Sequence, residues 1–296
     1  MASKKQSYSS AFTIVELLVV IVVIGILAAI TIVSYSGITS KANIASIQSD
    51  LTNASTTLKL DQITSNDNFP TTLALANNGK GITPSQTMDS VIYIPDNTSN
   101  PKNFCLQYRK GTNTYAVDNS SVPSSGVCLQ NLVTNGDFRN GTSGWSIVGS
   151  ALSALNNILY VTADGTVPES DAGGNIQGFI AGHIYYLRAK AKATSSACNR
   201  LRLWTPNGQI DVNNPIINTV YDLSIRAILN SWSMWITHNY TDAATANGKV
   251  MQVQYASTVD LTAAFGSGNE PTQAQMDTIM SNYPNSWFNI TAKASL

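Results

Sequence analysis

A single carboxylate, Glu16, lies inside an apolar stretch that runs from Phe12 to Val33. After Glu16 the next charged residue is Lys41. An ionised carboxylate inside hydrocarbon costs roughly 3 kcal/mol unless a cation pairs with it. The chemistry that this position offers is therefore ion pairing, with a cation that the stretch itself does not supply.

The other reactive side chains do not form a known catalytic pattern. The chain has three cysteines and two histidines, namely Cys105, Cys128, Cys198, His183 and His238. It contains no CxxC, HExxH, GxSxG, P-loop or GxGxxG pattern. We therefore expect a protein that is not an enzyme and that has no cofactor.

The composition narrows the class of protein. Only 11% of the 296 residues are charged, and Lys+Arg and Asp+Glu balance at 17 each. About a quarter of the residues are charged in an average globular domain. A balanced, weakly charged chain has no global field that attracts nucleic acid. The composition favours a secreted, glycan-facing or filament surface over an intracellular enzyme.

The apolar stretch is long enough to cross a membrane as a helix. At about 1.5 Å per residue, some 20 residues cross a hydrocarbon core of about 30 Å. A cleaved secretory signal would have a shorter apolar region and a small-residue cleavage site after it. A plain membrane anchor fits the length but leaves Glu16 unexplained.

A third interpretation comes from a resemblance. Residues 11–35 resemble the N-terminal segment of type IV prepilins in the spacing of Phe12, Thr13, Glu16 and Gly25. In that family a prepilin peptidase cuts before a Phe, whose new amino group is methylated, and a Glu follows at the fifth mature position. The resemblance implies a leader over 1–11, cleavage between Ala11 and Phe12, and N-methylation of Phe12.

The same resemblance gives Glu16 a partner. The ammonium that cleavage exposes at Phe12 would neutralise Glu16 of a neighbouring subunit, because buried charges are tolerable only when they are paired. Gly25 and Ala29 form a small-xxx-small pair that lets helices approach closely. The implied partners are other pilin subunits, the prepilin peptidase and an inner-membrane assembly platform. The chain would be a single-pass membrane protein before assembly and part of an extracellular pilus afterwards.

The helix is expected to continue beyond the membrane, over residues 12–62. An apolar stripe with spacings of 3 and 4 predicts this amphipathic half, at Ile44, Ile47, Leu51, Ala54 and Leu58. Polar residues and Pro70 end the pattern.

Residues 63–130 are predicted to form a small β-rich pilin domain. A short strand over 90–94 is expected to end at Pro95, and strands over 104–108 and 114–117 are expected to pair through a turn at 110–113. Pilins often fasten their C-terminal loop to the sheet with one disulfide, and Cys105 with Cys128 fits that arrangement. Two unpaired thiols are the alternative, and Cys198 has no evident partner.

Residues 131–296 are predicted to form a β-sandwich. The opening of this segment resembles carbohydrate-binding-module-like jelly rolls, which often begin with an Asn-Gly-Asp-Phe segment and a Gly-Trp, here Asn135, Gly136, Asp137, Phe138, Gly144 and Trp145. Arg139 stands where some members have an acidic residue that helps to hold calcium, so we expect no metal site. Several short strands alternate apolar and polar residues, over 183–193, 199–204, 231–239 and 250–256. A short helix is expected over 271–282.

Five basic residues of two of these strands are candidates for a ligand-binding face. The group consists of Arg188, Lys190, Lys192, Arg200 and Arg202, together with Tyr186 and Trp204. If they share one sheet face, they could bind a charged glycan, a cell-wall polymer of a host cell or, more weakly, DNA. The alternative is a solvated face whose charges prevent edge-to-edge aggregation. Core packing is the default expectation for Trp232, Trp235 and Trp287. Because Trp232 and Trp235 are three positions apart, a regular strand would place them on opposite faces, so at most one of the two is expected to point inward.

Together these observations predict an α+β protein, with a long N-terminal helix packed on a small pilin sheet and an all-β jelly-roll sandwich after it. The expected function is a structural subunit of a type IV pilus, in the role of a minor or adhesive pilin and with a part in twitching motility. One alternative is a pseudopilin of a type II secretion or DNA-uptake (competence) system. Another is a membrane-anchored lectin that does not assemble.

Overall fold

The structure is a computed structural model that describes residues 13–283, 288 and 290–295. Its contacts divide the chain into two compact units, Met1–Ser49 and Asp50–Leu296. Helix α1, Ile14–Thr64, contributes to both units. The long helix predicted from the sequence is thereby confirmed.

In the first unit, α1 exposes apolar side chains on every side. All residues from 14 to 32 are exposed, for example Ile14 at 84% and Leu27 at 57%. This part of the helix is long and apolar enough to cross a membrane.

In the second unit, the C-terminal part of α1 is amphipathic. Leu51 and Leu58 are fully buried and Ala54 is nearly so, whereas Thr52 and Asn53 are exposed. This burial follows the predicted stripe, because residues three and four apart lie on one face of a helix. The helix ends at Thr64, before Pro70, as the sequence pattern predicts.

The part of the second unit that precedes the sandwich is built on a five-stranded antiparallel sheet, here named sheet one. A turn, α2 (Ala76–Gly79), precedes it. Its strand order is β1-β2-β3-β4-β15. The strands are β1 Ser90–Asp96, β2 Asn103–Lys110, β3 Asn113–Asp118, β4 Ser124–Gln130 and β15 Thr291–Ser295.

Two features of sheet one differ from the sequence prediction. Strand β1 does not end before Pro95 but runs through it to Asp96, with Pro95 opposite Phe104. Because β1 is an edge strand, Pro95 can be accommodated although it has no N–H to donate. Strand β15 was not predicted at all, and it pairs with β4 from Gln130 opposite Thr291.

Residues between β4 and β15 form a β-sandwich of two five-stranded antiparallel sheets. Sheet two has the order β11-β10-β13-β8-β5, and sheet three has the order β12-β9-β14-β7-β6. The strands are β5 Trp145–Val148, β6 Ser150–Leu155, β7 Ile158–Ala163, β8 Glu169–Asn175, β9 Ile184–Ala193, β10 Arg200–Thr205, β11 Gly208–Asn213, β12 Tyr221–Ile228, β13 Ser233–Asn239 and β14 Val250–Asp260. The all-β sandwich predicted for this part of the chain is confirmed.

The sandwich core follows from the alternation of the strands. Leu187 of β9 and Val253 of β14 belong to the same buried cluster as Leu201 of β10 and Ile236 of β13. The inner faces of sheets two and three therefore pack on each other, and polar residues of the same strands point outward.

Three short helices complete the second unit, α3 Ala243–Ala246, α4 Leu261–Phe265 and α5 Gln273–Ser281. The predicted helix over 271–282 corresponds to α5, which begins with a capping box between Thr272 and Gln275. Met276 and Met280 of α5 are buried in a second apolar cluster, to which sheet one contributes Leu129.

The disulfide Cys105–Cys128 is present, with an S–S distance of 2.06 Å, as the sequence analysis expected. Both cysteines are buried, and they connect β2 to β4, the two strands on either side of β3. Cys198 is a buried free thiol.

We predict that replacing both bridged cysteines by alanine lowers the free energy of unfolding by roughly 3 kcal/mol, because the bridge restricts the unfolded chain. Urea unfolding of the detergent-solubilised full chain, followed by tryptophan fluorescence, measures this change. Reductant should destabilise the wild type but not the double variant. The matched control Cys198→Ala should keep the sensitivity to reductant. If the double variant unfolds at the wild-type urea concentration, the bridge does not stabilise the fold.

Candidate functional site

Glu16 lies in the first turn of α1 and takes part in its N-terminal cap. The Glu16 carboxylate accepts hydrogen bonds from the Thr13 backbone N–H and the Thr13 hydroxyl, each at 2.8 Å. The Glu16 N–H in turn donates to the Thr13 hydroxyl at 3.2 Å. This reciprocal pair is a capping box, and the Thr-x-x-Glu spacing would have predicted it. The predicted processing residues, Ala11 and Phe12, lie outside the described residues.

Around Gly25, α1 offers an open surface for another helix. Apart from the backbone of its own turns and its two chain neighbours, no heavy atom lies within 4 Å of the position that a Cβ on Gly25 would occupy. A contiguous exposed apolar surface of this kind is typical of membrane or protein contacts. The arrangement therefore suits close packing in lipid or against other helices.

The prediction that the five basic residues share one sheet face is wrong, because they lie on two different sheets. Arg188, Lys190 and Lys192 lie on β9 of sheet three, whereas Arg200 and Arg202 lie on β10 of sheet two. Since the two sheets pack face to face, their outward side chains point to opposite sides of the sandwich. Sequence alternation distinguishes inside from outside but does not assign a strand to a sheet.

On sheet three, Arg188 and Lys190 are paired with Asp222, and part of this face is covered. The Arg188 guanidinium donates to both carboxylate oxygens of Asp222 at 2.7 Å and to the Tyr186 hydroxyl at 3.1 Å. Lys190 Nζ lies 3.6 Å from the Asp222 carboxylate. Asp277 of α5 accepts a hydrogen bond from the Tyr186 hydroxyl, so α5 covers this end of the face. Arg188 is buried at 7% exposure and is not available to a ligand.

On the outer face of sheet two the two arginines are also paired. Arg202 donates from Nε and Nη2 to the Asp211 carboxylate at 2.7 and 3.2 Å. The Glu169 carboxylate lies 3.6 Å from Arg202 and 3.6 Å from Arg200. Asp211 and Glu169 are therefore part of this face, and the sequence analysis did not identify them.

The same face carries two tryptophans on neighbouring strands. Trp204 of β10 lies opposite Trp235 of β13, with ring centroids 6.1 Å apart and ring planes inclined by 18°. Both are partly buried, and neither belongs to the core clusters, so the default expectation of core packing does not hold for Trp235. Trp232 precedes β13 and is 54% exposed, and Trp287 lies outside the described residues.

Gly173 explains how Trp235 can lie on the sheet. Gly173 of β8 is directly opposite Trp235, and a Cβ at this position would be only 2.6 Å from Cζ3 of the indole. The absence of a side chain at Gly173 thus leaves room for the ring over the β8 backbone. We name Trp204 and Trp235 the tryptophan platform.

A hydrogen-bond chain orients the other ring of the platform. Trp204 Nε1 donates to the Thr237 hydroxyl at 3.0 Å, and this hydroxyl donates to the Asp171 carboxylate. Thr237 points outward from β13 and yet is fully buried, as expected if the Trp204 ring covers it. Burial raises the pKa of Asp171 from an ordinary 3.8 to about 6, and the Thr237 hydrogen bond opposes this rise.

Both histidines of the chain lie beside polar groups of the fold. His183 Nδ1 lies 2.8 Å from the carboxylate of Asp260, whose other oxygen accepts the Ala263 N–H at the start of α4. His238 is buried in the sandwich beside the Tyr240 hydroxyl, and this burial lowers its pKa to about 3. In the part of the chain that the structure describes, no three His, Cys, Asp or Glu side chains are placed to hold a metal ion.

Comparison with family models identifies the N-terminal segment. Residues 6–32 match the model of the prokaryotic N-terminal methylation motif. This chain carries that motif. The match includes Ala11, Phe12, Glu16 and Gly25, which the sequence analysis selected for processing and assembly. No curated protein matches the chain.

Several solved structures are similar in fold to part of this chain. The module CBM4 has a TM-score of 0.32 and 14% identity and matches 43% of this chain and 97% of its own. The module TmCBM61 in complex with β-1,4-galactotriose has a TM-score of 0.33 and 9% identity over 44% of this chain and 97% of its own. An arabinose-bound α-L-arabinofuranosidase has a TM-score of 0.37 and 11% identity over 52% of this chain, which spans only 30% of that enzyme. The sandwich assignment itself rests on the strand order described above.

We predict that Asp171 makes the stability of the sandwich depend on pH. A carboxyl whose pKa is raised by folding favours the folded state below pH 4, and this contribution is lost as the pH rises to about 6. The loss is at most about 3 kcal/mol for a shift of two pKa units. Asp171→Asn keeps the oxygen that accepts from Thr237 but cannot ionise.

Urea unfolding of both full-length proteins at pH 4, 5, 6 and 7 measures the effect. The stability of the wild type relative to Asp171→Asn should fall between pH 4 and pH 6. A difference that does not change with pH would show that Asp171 does not titrate in this range. Because His238 is present in both proteins, its own titration cancels in the comparison.

Proposed function

We propose that this protein is a subunit of a type IV pilus, made as a single-pass membrane precursor, cleaved before Phe12 and methylated there. The observation that carries the proposal is the exposed apolar part of α1 with one carboxylate, Glu16, inside a methylation motif. In a filament, the Phe12 ammonium of one subunit neutralises Glu16 of the next. The partners are other pilin subunits, the prepilin peptidase and the inner-membrane assembly platform.

We propose further that the subunit is an adhesive, minor pilin rather than an enzyme, and that its filaments serve attachment and twitching motility. A sandwich of this size on every subunit would be bulky in a helical array, which favours a minor position. The tryptophan platform supports the adhesive role, because a flat, partly exposed aromatic surface can stack against the apolar face of a sugar ring. The ligand is then a glycan or cell-wall polymer on a host cell.

The capping box allows the charge of Glu16 to be separated from its hydrogen bonding. Glu16→Gln keeps an oxygen that can accept the Thr13 N–H but loses the charge, because Gln also completes a capping box. Thr13→Ala removes the hydroxyl and keeps the charge. We predict that Glu16→Gln reduces filament incorporation at least about tenfold, since removing one partner leaves the ammonium unpaired.

Thr13→Ala should reduce incorporation only slightly, because a lost helix cap costs about 1 kcal/mol. Immunoblots of sheared surface filaments against membrane fractions measure incorporation, and equal membrane levels show that both variants are made and inserted. Filament levels that are normal in Glu16→Gln but low in Thr13→Ala would contradict the charge-pairing role of Glu16.

For the adhesive role, we predict that Trp204→Ala and Trp235→Ala each weaken glycan binding by roughly tenfold, because each removes about 1.5 kcal/mol of ring stacking. Trp232→Ala is the matched control, since Trp232 is exposed but lies outside the platform. A glycan array probed with the detergent-solubilised full chain measures binding. Equal losses in all three variants, or none, would exclude the platform as the binding surface.

A further inference from the structure

We propose that the tryptophan platform binds an uncharged saccharide and discriminates against acidic glycans. This inference rests on the adhesive function proposed above and adds the chemical class of its ligand. It replaces the anionic ligand that the basic residues of the sequence had suggested.

The first reason to expect discrimination against acidic glycans is the set of charges around the platform. The charged groups on the outer face of sheet two are two guanidiniums, of Arg200 and Arg202, and three carboxylates, of Glu169, Asp171 and Asp211. With all of them ionised, the formal sum is 2 − 3 = −1. A face with this balance offers no net attraction to a carboxylate or sulfate.

The second reason to expect this discrimination is the arrangement of Arg200 and Arg202 on the same face. Arg202 already uses Nε and Nη2 on Asp211, in the forked arrangement by which arginine would otherwise grip an anion. Its Nη1 faces Glu169, which also pairs with Arg200. The Nε of Arg200 has no partner, but it is buried and cannot reach a ligand above the sheet. An acidic sugar would have to displace Asp211 to gain the paired Nε and Nη2 of Arg202.

The platform itself needs no charge to bind. The nearly parallel Trp204 and Trp235 rings lie over neighbouring strands, and the ring of Trp235 is seated on Gly173. Aromatic faces attract the C–H groups of a pyranose whether or not the sugar is charged. The polar side chains at the rim, Gln209 and the Asp211 carboxylate, accept hydrogen bonds from sugar hydroxyls, and Gln209 also donates.

Binding of the detergent-solubilised full chain to matched oligosaccharides tests this inference. The neutral probes are gluco-, galacto-, manno- and xylo-oligosaccharides, and the acidic probes are oligogalacturonate, oligoglucuronate and sulfated galactan. We expect the best neutral probe to bind at least roughly tenfold more tightly than any acidic probe. Raising NaCl from about 0.05 to 0.5 M should change the affinity for the best neutral probe less than about twofold, because no ion pair forms between this probe and the protein.

Two variants make the test specific to this face. Asp211→Asn removes the carboxylate that pairs with Nε and Nη2 of Arg202, so that the guanidinium can bind an anion. Binding of acidic probes should then increase at least about fivefold and should depend on salt. Asp67→Asn removes the same charge outside the sandwich and should change neither class. Gly173→Ala should weaken neutral binding severalfold, since the added Cβ displaces the Trp235 ring.

The outcomes separate the two proposals. Preference for acidic probes in the wild type, with binding that falls as salt rises, would overturn the inference and leave the adhesive function standing. An Asp211→Asn variant with no gain for acidic probes would show that the Arg202 pairing does not set the specificity. Binding to neither class would overturn the adhesive function and, with it, this inference.

Discussion

The constraint on which this protein depends is that the apolar surface of residues 14–32 cannot remain in water. Every one of these residues is exposed in the single chain, and removing apolar surface from water is worth about 25 cal/mol per Å². Under the proposed function, lipid would satisfy this demand before assembly, and neighbouring helices would satisfy it in a filament. Glu16 is the exception within the stretch, and its capping box gives the carboxylate two hydrogen bonds from Thr13 without neutralising its charge. A carboxylate in this state remains available for a cation from another chain.

The second unit shows how a β-sandwich can be carried on a separate five-stranded sheet. The sandwich leaves sheet one at the end of β4 and returns to it at β15, and the Asn131 N–H bonds to the Ile290 carbonyl at 2.9 Å where the two connections meet. Both ends of the sandwich are thus held by adjacent strands. The Cys105–Cys128 bridge fastens one of these strands, β4, to β2. Mechanical force on a ligand bound to sheet two would reach sheet one through these two chain connections and not through a single flexible linker.

The sequence predicted those parts of the structure that local patterns determine. Glu16 within an uncharged stretch, the stripe through Leu51 and Leu58, and the alternation in β9 and β10 each follow from one residue spacing. Strand β15 escaped prediction because five residues carry too little periodicity. The partition of Arg188 and Arg202 between two sheets also escaped it, since alternation encodes the side of a strand and not its neighbours. The seat of Trp235 on Gly173 depends on a pairing between residues 62 positions apart, which no local pattern reveals.

Mass spectrometry of the N-terminal peptide, from protein released from cells by shearing, tests the pilus assignment most directly. We predict a peptide that begins at Phe12 and carries one methyl group on its amino nitrogen. Surface protein that still begins at Met1, or at any residue other than Phe12, would contradict the assignment, because Glu16 would then lack the neighbouring ammonium that justifies its place in an apolar helix.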